Sequence, residues 1–160
     1  MRLSRKAKRY DDSALPCEFK GFESFLEGER PDGSVFQGAI RRREGAVEVA
    51  ELSLECPAPK KQSFAKLRTK AEGLAEQITY LRERLEVVDH DRRGMYVQLR
   101  SLPPYKDDTQ IQFNEISIGR NKVVVKRIAF FRKDETKHQV PLRLSEDQLQ
   151  RLLHDLRDLI

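Results

Sequence analysis

Alternating apolar and polar residues recur along most of the chain and predict antiparallel hairpins. Residues 34–43 and 46–56 are predicted strands that meet at a turn around Glu44 and Gly45. Four more strands are predicted over residues 85–90, 95–102, 109–118 and 122–132. Between the second and third of these four, Pro103, Pro104 and Tyr105 predict an exposed loop.

Phase changes inside two of these strands predict β-bulges. In residues 46–56 the apolar side chains change phase near Ala50, which predicts a bulge there. A second bulge is predicted within residues 109–118, because Ile111 and Phe113 would point to one face of a regular strand, whereas Ile116 and Ile118 would point to the other.

Two segments have the three- and four-residue apolar spacing of amphipathic helices. The first runs from about residue 62 to about residue 84, and the second from about residue 146 to about residue 159. Ser145 and Gln148 form a capping box at the start of the second helix. The first segment favours packing on the protein's own sheet over pairing with another chain, because no acidic residue flanks its seam.

In the segment before the first hairpin, the three-residue spacing of Phe19, Phe22 and Phe25 suits a helix, whereas its aromatic content and Gly21 suit an irregular strand. A strand is the favoured interpretation. The sequence therefore predicts an α+β fold with six to seven antiparallel strands, built from hairpins, and two helices packed on the sheet. Residues 14–160 are predicted to form a single α+β domain, since this length leaves no room for a second one.

The positive charge of the chain is concentrated at its N-terminus. The formal net charge is +5, and residues 1–10 contain five basic residues and no acidic one, so the rest of the chain is neutral overall. Because core-forming side chains are nearly missing there, residues 1–13 are predicted to be a disordered basic arm.

Two cysteines, Cys17 and Cys56, form no paired motif, and free thiols in a cytoplasmic protein are the expectation. The sequence leaves open whether the two pair. No apolar run is long enough for a membrane helix, so a membrane partner is not expected.

Residues that could support catalysis do not converge in the sequence. His90, His138 and His154 lie on three different predicted elements without metal-ligand spacing. Nucleophile elbows and phosphate-binding glycine loops are also missing from the sequence. We therefore assign no catalytic, cofactor-binding or metal-binding residues, expect no cofactor, and favour a non-catalytic protein.

Clusters of basic residues are the candidate contacts to nucleic acid. They are Arg5, Arg9, Arg41, Arg42, Arg43, Lys60 and Lys61. In the predicted strand Arg42 points opposite to its two neighbours, and stacking aromatic residues are not interleaved with the cluster. A charged sheet edge that prevents aggregation explains the same residues.

Arg5 and Arg9 also resemble the R-x-x-x-R arm of the PilZ family, which binds a cyclic dinucleotide. In that family Asp, Ser and Gly follow in a D-x-S-x-x-G turn, where this chain has Glu51, Ser53 and Cys56. The family's glycine lets the backbone approach the ligand, and Cys56 would obstruct that approach.

These observations favour a binding or scaffold module that recognises another protein or a second copy of itself. The surfaces expected to do so are an exposed sheet edge, the seam of the first helix, or the loop at Pro103–Tyr105. The alternative is a single-stranded nucleic-acid-binding protein that uses the basic arm and the sheet, and an enzyme of unrecognised type is third.

Overall fold

A computed structural model describes residues 4–9, 21–26, 33–57, 61–157 and 159 of the chain. Cys17 and Lys60 lie outside the described residues, as do residues 1–3 and 10–13 of the predicted arm. Cys56 is described, and it is a buried free thiol.

The described residues form eleven strands and two α-helices. The elements are β1 (Ser4–Arg9), β2 (Glu23–Leu26), β3 (Val35–Arg43), β4 (Ala46–Glu55), α1 (Phe64–Gln77), β5 (Leu85–Asp91), β6 (Tyr96–Ser101), β7 (Tyr105–Lys106), β8 (Gln110–Ile118), β9 (Lys122–Phe131), β10 (Thr136–Val140), β11 (Leu142–Leu144) and α2 (Glu146–Leu156).

All eleven strands belong to one antiparallel sheet with the order β1-β2-β3-β4-β9-β8-β6-β5. The short strands β10, β11 and β7 pair with β9, β4 and β8. Buried leucines of both helices join the apolar residues of the central strands in one core cluster, so both helices pack against the sheet. The predicted α+β class is confirmed.

More strands are present than the six to seven predicted. The pattern of apolar residues does not detect β1, β7, β10 and β11, because β7 and β11 are very short, β10 exposes most of its residues, and β1 consists mainly of basic residues. Ser4–Arg9 was predicted to belong to a disordered arm, whereas the structure pairs it with β2. Backbone pairing at a sheet edge needs no core-forming side chains, and this leaves no mark in the hydrophobic pattern.

The bulge predicted near Ala50 is confirmed, since Glu51 pairs with Ala39 and Val49 pairs with Ile40. The second predicted bulge is wrong. β8 keeps an unbroken register with β9 from Gln110 to Ile118. The apparent phase change arises because Asn114, a polar residue, takes a position on the core face of β8 and is completely buried.

α1 is shorter than predicted, with 14 residues. It begins after Ser63, whose hydroxyl accepts the N–H of Lys66, and it ends at Gln77. Ile78, Leu81 and Leu85 continue the apolar spacing and are buried, but they lie beyond the helix. Ile78, Thr79 and Tyr80 are weak helix formers, so the chain leaves the helix while it keeps its apolar side chains in the core.

α2 begins as predicted and ends at Leu156 rather than about residue 159. The Ser145 hydroxyl accepts the N–H of Gln148, and the Gln148 side chain accepts the N–H of Ser145. Four leucines of one face are fully buried, namely Leu149, Leu152, Leu153 and Leu156. Neither of the two described helices is both long enough and apolar enough to cross a membrane.

Candidate docking loop

The predicted nucleic-acid contacts at the end of β3 are largely engaged by acidic residues. Arg41 donates to Glu48 at 3.0 Å and lies over the ring of Phe22. Arg42 pairs with Glu146 in the first turn of α2. Arg43 is exposed at the hairpin turn. The charge of this end of the sheet is therefore partly neutralised.

The remaining described members of that group lie in two places. Arg9 of β1 lies opposite Glu23 of β2, and Glu23 lies opposite Ile40 of β3. Arg9 is therefore two strands away from Ile40, the residue that precedes Arg41. Arg5 lies opposite Phe25 in the same ladder. Lys61 follows the other end of β4, a strand of 10 residues that is roughly 30 Å long. The structure thus brings Arg9 toward Arg41 and keeps Lys61 apart from both.

Two of the three expected docking surfaces are occupied or protected. The seam of α1 is buried in the core through Leu67, Ala71 and Leu74. The β5 edge carries exposed acidic residues, a bulge between Val87 and Asp89, and a single exposed apolar side chain, Val88 at 39%. Charges and bulges are the features by which edge strands avoid pairing with other chains. The loop after β6 therefore becomes the main candidate.

We call residues 102–107 the docking loop. Leu102 is 45% exposed and Tyr105 is 37% exposed, and both are among the few large apolar side chains that the described surface displays. Pro103 between them is exposed as well. These three residues lie within four positions of the sequence, whereas Val88, the other exposed large apolar residue of the described chain, lies on β5. Apolar residues that form a continuous exposed surface mark interaction sites.

Hydrogen bonds hold both ends of the docking loop. At its start, the Leu102 N–H donates to the Arg84 carbonyl at 2.9 Å. At its end, the Asp107 N–H donates to the Gln110 carbonyl at 3.0 Å. The Tyr105 hydroxyl donates to the second carboxylate oxygen of Asp107, Oδ2, at 2.8 Å. The exposed side chains are thus presented from a fixed backbone.

Asp107 is the centre of the turn that closes the docking loop. Its Oδ1 atom accepts the N–H and the hydroxyl of Thr109 and the N–H of Gln110, at 2.8 to 2.9 Å. These hydrogen bonds, the Thr109 N–H first, together with the Tyr105 hydroxyl, lower the pKa of Asp107 to about 2. The same contact with Asp107 raises the pKa of Tyr105, so the phenol stays protonated as the donor.

Three buried and two half-buried polar residues lie next to the docking loop, and we call them the polar cluster. Its members are Glu83, Ser101, Gln112, Asn114 and Arg127. Arg127 is only 3% exposed, and its guanidinium donates two hydrogen bonds to the Glu83 carboxylate, at 3.0 and 3.2 Å. It donates two more, to Asn114 at 2.7 Å and Gln112 at 2.8 Å. A buried charge is tolerated when it is paired in this way.

The polar cluster connects to the docking loop at three points. Ser101 comes directly before Leu102, and its hydroxyl accepts the Asn114 N–H at 2.7 Å where the β6–β8 backbone pairing has ended. Glu83 accepts from the Ser101 hydroxyl at 2.9 Å and comes directly before Arg84, which binds the Leu102 N–H. Gln112 lies opposite Tyr105 in the β7–β8 ladder.

The polar cluster was not predicted, although part of its signal is present in the sequence. In β9 the core-facing positions read Val123, Val125, Arg127 and Ala129, so the arginine interrupts an apolar row. Glu83 lies 44 residues before Arg127, and no local pattern indicates that they meet.

The three histidines stay apart in the structure. His90 contacts Arg68 and Phe64, and His138 contacts Thr136 and Phe131. His154 lies in the last turn of α2. Across the residues that the structure describes, His, Cys, Asp and Glu form no group of three or more that could hold a metal ion.

Comparisons of the chain with protein-family models, with curated proteins and with solved structures find no match.

Proposed function

We propose that the chain is a non-catalytic binding module that recognises another protein through the docking loop. The observation that carries this proposal is the exposure of Leu102 and Tyr105 from a backbone that is fixed at both ends. Burial of a large apolar side chain by a partner contributes about 1.5–3 kcal/mol. A backbone that is already ordered avoids much of the entropy cost of binding.

Residue types at the docking loop suit protein recognition. Tyrosine and arginine are enriched among the residues that dominate binding energy, and Arg82 lies 5.8 Å from the centre of the Tyr105 ring. Exposed proline and leucine supply rigid apolar contacts beside them. This combination supports a small, preorganised contact surface rather than a deep substrate cleft.

Site-specific photo-crosslinking in cells that naturally carry this chain tests the proposal. A benzophenone amino acid replaces Leu102 in the full chain, and the same residue at exposed Arg43 is the matched control. We expect a discrete protein adduct from position 102 and none of that mass from position 43. An adduct with twice the mass of the chain would identify a second copy as the partner. No position-102 adduct, or one removed by nuclease, would overturn the proposal.

A single-stranded nucleic-acid-binding role is the second proposal. The register of the sheet supports it, because Arg9 lies two strands from Ile40 and so brings a basic residue of the arm toward Arg41. The carboxylates of Glu48 and Glu146 beside Arg41 and Arg42 weaken it. If it holds, affinity for an oligonucleotide falls steeply as salt rises, and it drops when residues 1–10 are deleted. Binding that is undetectable or insensitive to salt would remove it.

A further inference from the structure

Four basic residues lie in or next to the docking loop. Arg82 lies against Tyr105, and Arg84 binds the Leu102 N–H through its carbonyl. Arg132 donates through Nε to the Asp107 carbonyl at 3.2 Å, and Lys106 belongs to the loop itself. All four residues are exposed. The apolar centre of the docking loop therefore has a basic rim.

The protein itself balances this rim only in part, through the ionised Asp107 carboxylate and the exposed Asp108. Some basic residues elsewhere in the described chain form ion pairs with acidic ones, as in Arg41–Glu48, Arg42–Glu146, Arg68–Glu72, Arg100–Glu115 and Arg143–Glu44. Within the same described residues, none of the four rim side chains lies in such a pair. Asp107 stays ionised while it accepts hydrogen bonds from Tyr105, Thr109 and Gln110, and Asp108 is exposed beside it. Four positive charges against these two negative ones leave a net charge of +2 around the docking loop.

We infer that the partner of the docking loop presents an acidic segment that contains an apolar side chain. This inference rests on the proposed function and adds the chemistry of the partner. Complementary charge steers association and selects among partners, whereas the buried apolar contact holds the complex. The basic rim supplies the complementary charge, and Leu102, Pro103 and Tyr105 supply the apolar contact.

A protein segment fits this surface better than a nucleic acid does. Binding of single strands uses successive aromatic rings on which bases stack, and the docking loop offers one ring, Tyr105, already in contact with Arg82. Leucine and proline side chains at the centre match an apolar side chain of a peptide. The anionic partner is therefore expected to carry carboxylates.

Selection from a random peptide library displayed on phage tests the inference. The immobilised full chain is the target, and the Leu102→Gln/Tyr105→Ser variant removes peptides that bind elsewhere. We expect the remaining peptides to combine an aromatic or aliphatic residue with neighbouring Asp or Glu. For a synthetic peptide of this kind, affinity should fall roughly fivefold between about 50 and about 300 mM NaCl.

Charge reversal supplies the matched control. Arg82→Glu/Arg84→Glu should weaken the peptide about tenfold or more, and Arg92→Glu/Arg93→Glu should leave it unchanged. The control pair changes the net charge equally and lies in the turn at the other end of the β5–β6 hairpin, roughly 20 Å away.

The outcomes separate the two proposals. Two results would overturn the inference of an acidic partner but keep the proposal that the docking loop binds a protein. One is selection of loop-dependent peptides that lack Asp and Glu. The other is selection of peptides whose affinity does not change in the Arg82→Glu/Arg84→Glu variant. Failure to select any loop-dependent peptide would count against the proposed function itself. An oligonucleotide that binds with the same sensitivity to Arg82→Glu/Arg84→Glu, while acidic peptides do not bind, would overturn the inference in favour of nucleic acid.

Discussion

Two regions of the core place their polar and apolar residues differently. Under α2, four leucines meet the apolar residues of β4 and β11, and the exposed positions are polar or charged. One carboxylate of α2, Asp155, is buried, and it accepts hydrogen bonds from Gln77 and Tyr80. Under the docking loop, Arg127, Asn114 and Ser101 are buried, while Leu102 and Tyr105 face solvent. The first region follows the ordinary rule for globular proteins, and the second inverts it.

The difference matters because buried charged groups need hydrogen-bonded partners, and because apolar side chains that are exposed together, rather than singly, mark binding surfaces. The α2 side needs only its own folding to explain its residues. Next to the docking loop, the hydrogen bonds of the polar cluster hold Ser101 and Glu83 in place. Ser101 directly precedes Leu102, and Glu83 directly precedes Arg84, whose carbonyl accepts the Leu102 N–H. A buried polar region that supports an exposed apolar one is expected where a surface is kept for binding.

The largest expected effect comes from Arg127→Met, which keeps the length of the side chain and removes its charge. The variant leaves Glu83, Gln112 and Asn114 without their shared donor, so the free energy of unfolding should fall by about 3 kcal/mol or more. Urea denaturation measures it. Arg143→Met is the control, because its pair with Glu44 is exposed and should contribute less than about 1 kcal/mol. Equal losses in both variants would remove the distinction between the two pairs.

Leu152→Met applies the same replacement to the α2 side. Leu152 is fully buried among apolar residues, and an exchange that conserves volume and polarity should cost less than about 1.5 kcal/mol. The measurement is again urea denaturation, with Leu152→Ala as the positive control at about 2–5 kcal/mol. If Leu152→Met destabilised the protein as much as Arg127→Met does, changed side-chain packing, rather than the loss of a buried charge and its hydrogen bonds, would explain both losses of stability.

Acid sensitivity of the docking loop is the smallest expected effect. The pKa of Asp107 is lowered to about 2 from 3.8, so its contribution to stability is present above about pH 4 and is lost as the pH falls toward 2. Between these values the wild type should lose more stability than Asp107→Asn, whereas Asp108→Asn should behave as the wild type. Parallel pH profiles of the wild type and Asp107→Asn would show that the turn does not depend on this carboxylate.

The sequence predicts the ordinary side of this comparison well. The capping box at Ser145, the leucine face of α2 and the bulge at Ala50 follow from local spacing, and all three are confirmed. The end of α1 was misplaced because apolar spacing reports burial and not the backbone conformation of Ile78 and Leu81.

The inverted side is only half visible in the sequence. Pro103–Tyr105 was predicted as an exposed loop from its composition, and Leu102 and Tyr105 are exposed. Its support was missed because Glu83 and Arg127 meet through the tertiary fold, and because a buried Asn114 imitates a change of strand phase. Local periodicity carries no information on which distant polar residues will pair.

The most direct test of the docking loop is to measure folding and binding together in Leu102→Gln. Leu102 is 45% exposed, so the fold shields only about half of it, and the free energy of unfolding should fall by no more than about 1.5 kcal/mol. Affinity for a loop-selected peptide, measured by calorimetry, should fall about tenfold or more, since the partner loses its apolar contact. A loss of stability above about 2 kcal/mol with unchanged affinity would show that Leu102 serves the fold rather than a partner.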